Sequence, residues 1–206
     1  TRALPNMVLI CPADAIEAKK ATIAVAKNNK PSYIRLSREK VPVITTEQTP
    51  FEIGKAEVFY DPSTHSASSG QAGSPQAGSG RADVAIIVCG QMVYKALLAA
   101  KELELHKISV RVINCHTIKP IDTKTILEAA QQTGAIVTVE EHQITGGLGG
   151  AVAEVLSQNC PVPLKIIGIE DRFGESGEPN ELLEKFGLTK EAIIKAVKHV
   201  LGMKEK

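Results

Sequence analysis

The sequence contains no tryptophan and few aromatic residues of any kind, with three tyrosines and four phenylalanines among 206 residues. The core must therefore rest on Val, Ile, Leu and Ala within a hydrophobic fraction of 43%. Such cores suit buried parallel strands flanked by helices. Charge of one sign is lacking too, since 24 basic and 23 acidic residues leave a net charge of +1. Without a basic stripe nothing calls for nucleic acid or an anionic membrane as partner. No apolar run approaches the roughly 18 residues that cross a bilayer. The opening Thr1-Arg2-Ala3-Leu4-Pro5-Asn6 has no signal-peptide pattern. Cys11, Cys89, Cys115 and Cys160 form no CxxC pair, and neither they nor the histidines have the spacing of a metal site. They read as reduced, buried thiols of a cytoplasmic protein.

What is present has a clear order. The length allows one ordinary domain and something smaller. Residues 7–12 read as a short buried strand stopped by Pro12. Asp14 follows at an N-cap position, with Glu17 at capping-box spacing and an alanine-rich helical pattern from Ala15 to Lys27. An apolar strand around Tyr33 to Leu36 completes a β-α-β unit, assigned to residues 1–46. Residues 47–82 read as a connector, with a strand-like alternation from Phe51 to Tyr60. Its stretch from Asp61 to Gly80 is so rich in Ser, Gly, Ala and Gln that a mobile loop is expected.

From residue 83 to 206 the pattern becomes regular. Strands are expected at 84–89, 110–115, 135–139 and 164–169. They alternate with helices at 91–105, 122–132, after the glycine run to about 156, at 178–186 and at 189–201. This alternation predicts an α/β fold, a mostly parallel sheet with helices on both faces, preceded by the partial β-α-β unit.

Four motifs could carry chemistry. Gly146-Gly147-Leu148-Gly149-Gly150 follows a strand and opens a helix, where an anion could sit. It fails as a dinucleotide fingerprint because the third required glycine is Val152, so close backbone packing is the favoured reading. Glu140, Glu141 and His142 lie at the carboxyl end of a strand, where α/β proteins place their chemistry. Neighbours on a strand face opposite ways, so Glu141 and His142 need not meet, and a structural or interface role is at least as well supported. The remaining histidines, His65, His106, His116 and His199, are expected in loops or on helix surfaces. Asp171 to Gly177 is a polar loop that could line a cleft or an interface. Leu36-Ser37-Arg38 ends the first unit's last strand. By spacing alone Arg38 reads as a solvated cation in a basic stretch.

Taken together, these residues resemble a known family. Pro5-Asn6-Met7, Cys11-Pro12-Ala13-Asp14-Ala15-Ile16-Glu17-Ala18 and Ile34-Arg35-Leu36-Ser37-Arg38 resemble the end of the pyrimidine-binding domain of transketolases. Ile118-Lys119-Pro120-Ile121-Asp122, Val139-Glu140-Glu141-His142 with Gly146-Gly147-Leu148-Gly149, and Ser176-Gly177 to Phe186-Gly187-Leu188 are similar to that family's C-terminal domain. The resemblance implies transfer of a two-carbon ketol unit between sugar phosphates, in the pentose phosphate pathway, by a homodimer using thiamine diphosphate and Mg2+. It also implies that Arg38 binds the substrate phosphate, reversing the reading from spacing. Glu140, Glu141 and His142 become structural or interface candidates. The family's cofactor-activating glutamate and its Gly-Glu-Asp-Gly-Pro-Thr-His stretch would precede Thr1. This chain alone is therefore expected to bind no cofactor, to have no catalytic residue, and to need an N-terminal transketolase part as partner. Alternatives are a 1-deoxyxylulose-5-phosphate synthase, a 2-oxo-acid dehydrogenase β subunit, a noncatalytic dimerisation module and, last, a nucleotide-binding Rossmann domain.

Overall fold

The computed structural model describes residues 1–62 and 81–204. His65 and most of the low-complexity stretch expected to be mobile lie outside the described residues. The described residues form two sheets. A three-stranded sheet has β1 (Val8–Ile10) at its centre, flanked by β2 (Ser32–Ile34) in parallel and β6 (Thr117–Lys119) antiparallel. A five-stranded sheet runs β3 (Glu57–Tyr60), β5 (Val110–Asn114), β4 (Val84–Val88), β7 (Ile136–Gln143) and β8 (Leu164–Ile169). All its neighbours are parallel except the edge strand β3.

Six helices are described: α1 (Ala15–Lys27), α2 (Met92–Leu105), α3 (Thr123–Thr133), α4 (Leu148–Asn159), α5 (Pro179–Lys185) and α6 (Lys190–Lys204). Their caps follow the sequence chemistry. Asp14 accepts from Glu17 N at 2.9 Å, Asp122 from Thr125 N at 3.1 Å, and Thr189 Oγ1 from Ala192 N at 3.2 Å. Gly134 ends α3 in the left-handed conformation, φ 68°, which a side chain would resist.

Period-two alternation sorts the central strands into two cores. Val84, Ile86 and Val88 face one side with Val137 and Val139, under Met92, Ala96 and Leu103 of α2 and Ile193, Val197 and Val200 of α6. Ala85 and Ile87, with Cys89 just beyond, face the other, under Ile126 and Ala130 of α3 and Leu148, Val152 and Leu156 of α4. Leu9 and Cys11 join this second core, whereas Val8 and Ile10 pack with Ala21 in a small core of their own. The first β-α-β unit is therefore docked on the larger sheet through alternate residues of β1.

Some sequence expectations differ from the fold. Strand β3 starts at Glu57 rather than Phe51, because residues 46–56 run as turns and irregular backbone. The stretch read as connector thus supplies an edge strand to the five-stranded sheet. Ile118 and Lys119, in a segment where no strand was expected, belong to β6, hydrogen-bonded to β1. His116 lies in the short link between β5 and β6, as a loop residue, but not on the surface. It is fully buried and stacks on Phe51 with centroids 4.3 Å apart.

Candidate functional site

The carboxyl ends of β1, β4 and β7 meet where the two sheets adjoin, as expected for parallel strands. Glu140, near the end of β7, is buried and turns back toward the glycine run. Its Oε2 accepts from Leu148 N at 2.7 Å and its Oε1 from Gly149 N at 2.8 Å. The positive end of α4 is thus answered by the protein's own carboxylate. Burial raises the Glu140 pKa, although these two N–H donors work against the rise.

The glycines are small for a reason. A Cβ on Gly147 would fall 2.0 Å from Glu140 Oε2, and one on Gly149 would fall 2.5 Å from Ile166 Cγ2. His142, on the same face as Glu140, brings Nδ1 to 4.0 Å from Glu140 Oε2 and remains half exposed. Glu141 is only partly buried, and its carbonyl accepts from Arg35 Nη1.

Arg35 also points its Nε at Cys11 Sγ, 3.3 Å away. Burial disfavours its charge, but Cys11 and Cys89 outweigh that effect and raise its pKa. Arg2 reaches the same seam, donating to Gly146 O at 2.9 Å and gripping the Glu154 carboxylate at 2.7 and 2.8 Å. Cys11, Arg35, Cys89, Glu140 and His142 line a cavity of about 70 Å³.

A second network crosses the seam lower down. Asp14 accepts from Ile44 N, Thr45 N, Thr45 Oγ1 and Glu17 N at 2.6–2.9 Å. Burial would raise its pKa, but these donors prevail and lower it. Glu17 accepts from Ala13 N at 2.6 Å and from Asn114 Nδ2 at 2.7 Å. Burial pushes its pKa up to about 7 against those donors.

Arg38 stands apart from both networks. It is exposed beyond the end of β2, three residues after the anchored Arg35, and has no partner among the described residues. The Asp171 to Gly177 loop holds Arg172 over the Phe186 ring, 4.6 Å from its centroid, and leaves Phe173 95% exposed.

The sequence reading named Glu140, Glu141, His142 and Arg38. The fold brings Glu140 and His142 together, turns Glu141 aside and leaves Arg38 in solvent. It missed Arg35, Cys11 with Cys89, and the Glu17–Asn114 pair. Arg35 had one legible signal, a charge at the end of an apolar strand. The others meet only across the two sheets.

The family model for the transketolase C-terminal domain matches residues 76–193. The chain belongs to the transketolase C-terminal domain family. It is 38% identical over 203 residues to a 6-deoxy-6-sulfo-D-fructose transketolase subunit of Clostridium sp., covering 98% of this chain and 57% of that protein. It is 36% identical over 195 residues to an apulose-4-phosphate transketolase subunit of Phocaeicola vulgatus, covering 94% and 56%. A solved structure described as a split-gene transketolase, inactive beta4 tetramer, superposes with a TM-score of 0.87 at 41% identity, covering 98% of this chain and 60% of that one. The Campylobacter jejuni transketolase, at 22% identity and a TM-score of 0.68, shares the fold. This transketolase-family chain thus spans little more than half the length of these two curated relatives.

The residues present do not fit a thiamine diphosphate and Mg2+ site. The N-terminus of α4, the place the sequence offered to an anion, is filled by Glu140. Among the described residues no three His, Cys, Asp or Glu side chains gather as metal ligands. No described helix is long and apolar enough to cross a membrane.

Proposed function

We propose that this chain is the C-terminal portion of a cytoplasmic, thiamine-diphosphate-dependent transketolase that moves two-carbon ketol units between sugar phosphates, and that it works only with an N-terminal transketolase part. The observation that carries this reading is the match along 94–98% of the chain to proteins whose own names make them transketolase subunits. The cofactor and its Mg2+ belong to the partner's portion of the site, and the working unit contains a homodimer of this half. Four free cysteines suit a reducing compartment.

On this reading the chain's own task is to hold the phosphate end of the sugar. Arg38 does so through paired charge-assisted hydrogen bonds from its planar guanidinium. Arg35, fixed to the Cys11 thiol and the Glu141 carbonyl, orients the segment that carries it. Glu140 spends its charge on α4 and takes no part in proton transfer.

Pentose phosphates are the first substrates to test, and the names of two relatives favour testing sulfosugar and apulose phosphates as well. The protein carrying this chain is mixed with an N-terminal transketolase subunit, thiamine diphosphate and Mg2+. It is then offered xylulose 5-phosphate with ribose 5-phosphate, the two alternative ketoses, and pyruvate. Ketol transfer from one of the phosphoketoses or sulfoketoses supports the proposal. Turnover of pyruvate alone would move the chain to the synthase or dehydrogenase reading.

A further inference from the structure

The ends of β1 and β4 place two buried thiols side by side, and the proposed ketol transfer uses neither. Cys11 is 4% and Cys89 1% exposed, and both face the same small cavity. The backbones adjoin as well, Gly90 N donating to Cys11 O at 3.1 Å. Arg35 Nε stands 3.3 Å from Cys11 Sγ. Both cysteines line the cavity of about 70 Å³, whose walls also include the exposed His142 and Gly146, so it leads from the thiols toward the surface. That volume exceeds the roughly 30 Å³ share of one water molecule, so a molecule the size of hydrogen peroxide fits.

We propose that Cys11 and Cys89 form a peroxide-reactive dithiol, in which Cys11 attacks, Cys89 resolves and Arg35 holds the attacking sulfur as thiolate. The charge pattern supports these roles. The neighbouring Cys89 thiol brings the Cys11 pKa down to about 6 against the cost of burial, and Arg35 adds to the lowering. Cys89 is raised by the same contact and by burial and so keeps its proton. The other groups facing Cys11 are Arg2, Glu140, His142 and Cys115. Burial pushes Cys115 up to about 12, which leaves it unreactive.

The steps balance. The Cys11 thiolate attacks one oxygen of hydrogen peroxide, the O–O bond breaks, and the departing hydroxide takes a proton to leave as water. Cys11 is then a sulfenic acid. The Cys89 sulfur attacks it, the S–O bond breaks, and a second water leaves with the Cys89 proton. Two thiols lose two electrons to one peroxide, and the product is a Cys11–Cys89 disulfide joining the first β-α-β unit to the five-stranded sheet.

The test is non-reducing peptide mapping of the full protein after equimolar hydrogen peroxide, with the half-buried Cys160 as internal comparison. The expected result is a linked Cys11–Cys89 peptide while Cys160 stays reduced. In Cys89→Ala, Cys11 should carry a sulfenic acid that dimedone traps. Arg35→Met should slow Cys11 oxidation at pH 7 roughly tenfold. Oxidation of Cys160 with Cys11 and Cys89 still reduced, or a disulfide from Cys11 to any other cysteine, would overturn the proposal. If Cys89→Ala does not fold, the map of the native protein decides alone.

Discussion

Glu17 and His116 are both buried, and burial shifts their protonation in opposite senses. The Glu17 pKa rises from 4.5 to about 7, so the fold favours its protonated form. That contribution is complete below about pH 4.5 and is lost as pH rises through about 7. Burial lowers the His116 pKa from 6.5 to about 4, so the fold favours its neutral form. Its contribution is complete above about pH 6.5 and is lost as pH falls through about 4. Each swing is of order 3 kcal/mol, and between pH 4.5 and 6.5 they oppose one another. Asn114 Oδ1, buried without a partner, gains a donor from protonated Glu17 once its amide turns over. Glu17→Gln should therefore be more stable than the native protein at pH 8 by about 1–3 kcal/mol. It should also uncover the His116 loss between pH 6.5 and 4 in urea titrations, and an unchanged pH profile would refute the burial argument. Arg38, exposed and outside both networks, is the complementary case: under the proposed function it would contribute to binding alone. Its replacement by Ala should leave the melting temperature unchanged but raise KM for phosphorylated sugars about 10–100-fold in the reconstituted enzyme.

The glycine turn before α4 works as an element because the cap and the cradle are made for each other. Gly147→Ala must displace the Glu140 carboxylate and should cost about 2–4 kcal/mol. Gly146→Ala meets nothing within 4 Å and bears only the strain of φ 80°, about 1 kcal/mol. Thermal unfolding of the two variants should rank them in that order; equal losses would mean that backbone conformation, not the Glu140 contact, fixes the turn. Much of this element could be read in the sequence. The failed fingerprint at Val152 pointed to packing, and Asp14 marked a helix start. Two things could not be read. Strand β6 is three residues long and has no period of its own; it exists because β1 offers an open edge. The carboxylate that fills the anion position lies seven residues upstream of Gly147, and only the hairpin path of β7 into α4 aims it there. The burial of His116 could not be read either, because a lone imidazole in a loop says nothing of the Phe51 ring that covers it.

At the scale of the molecule, the two cores differ greatly in size. The first unit rests on Val8, Ile10 and Ala21, and α1 buries only Glu17 and Ala21 along its 13 residues. The five-stranded sheet is covered on both faces. Amide exchange should therefore open α1 and β2 at lower free energy than β4 and β7, and equal protection throughout would contradict this division. The docking of the first unit through Leu9, Cys11 and Arg35 anchors the chain just past β2, three residues before Arg38, beside the larger sheet. The most direct measurement is ketol transfer by the protein carrying this chain, assayed with thiamine diphosphate and Mg2+ in the presence and absence of an N-terminal transketolase subunit. Turnover is expected only when the two are combined, with weakened affinity for the phosphosugar in Arg38→Ala. Full turnover by this chain alone, or none with the partner on any ketose tested, would contradict the proposed function.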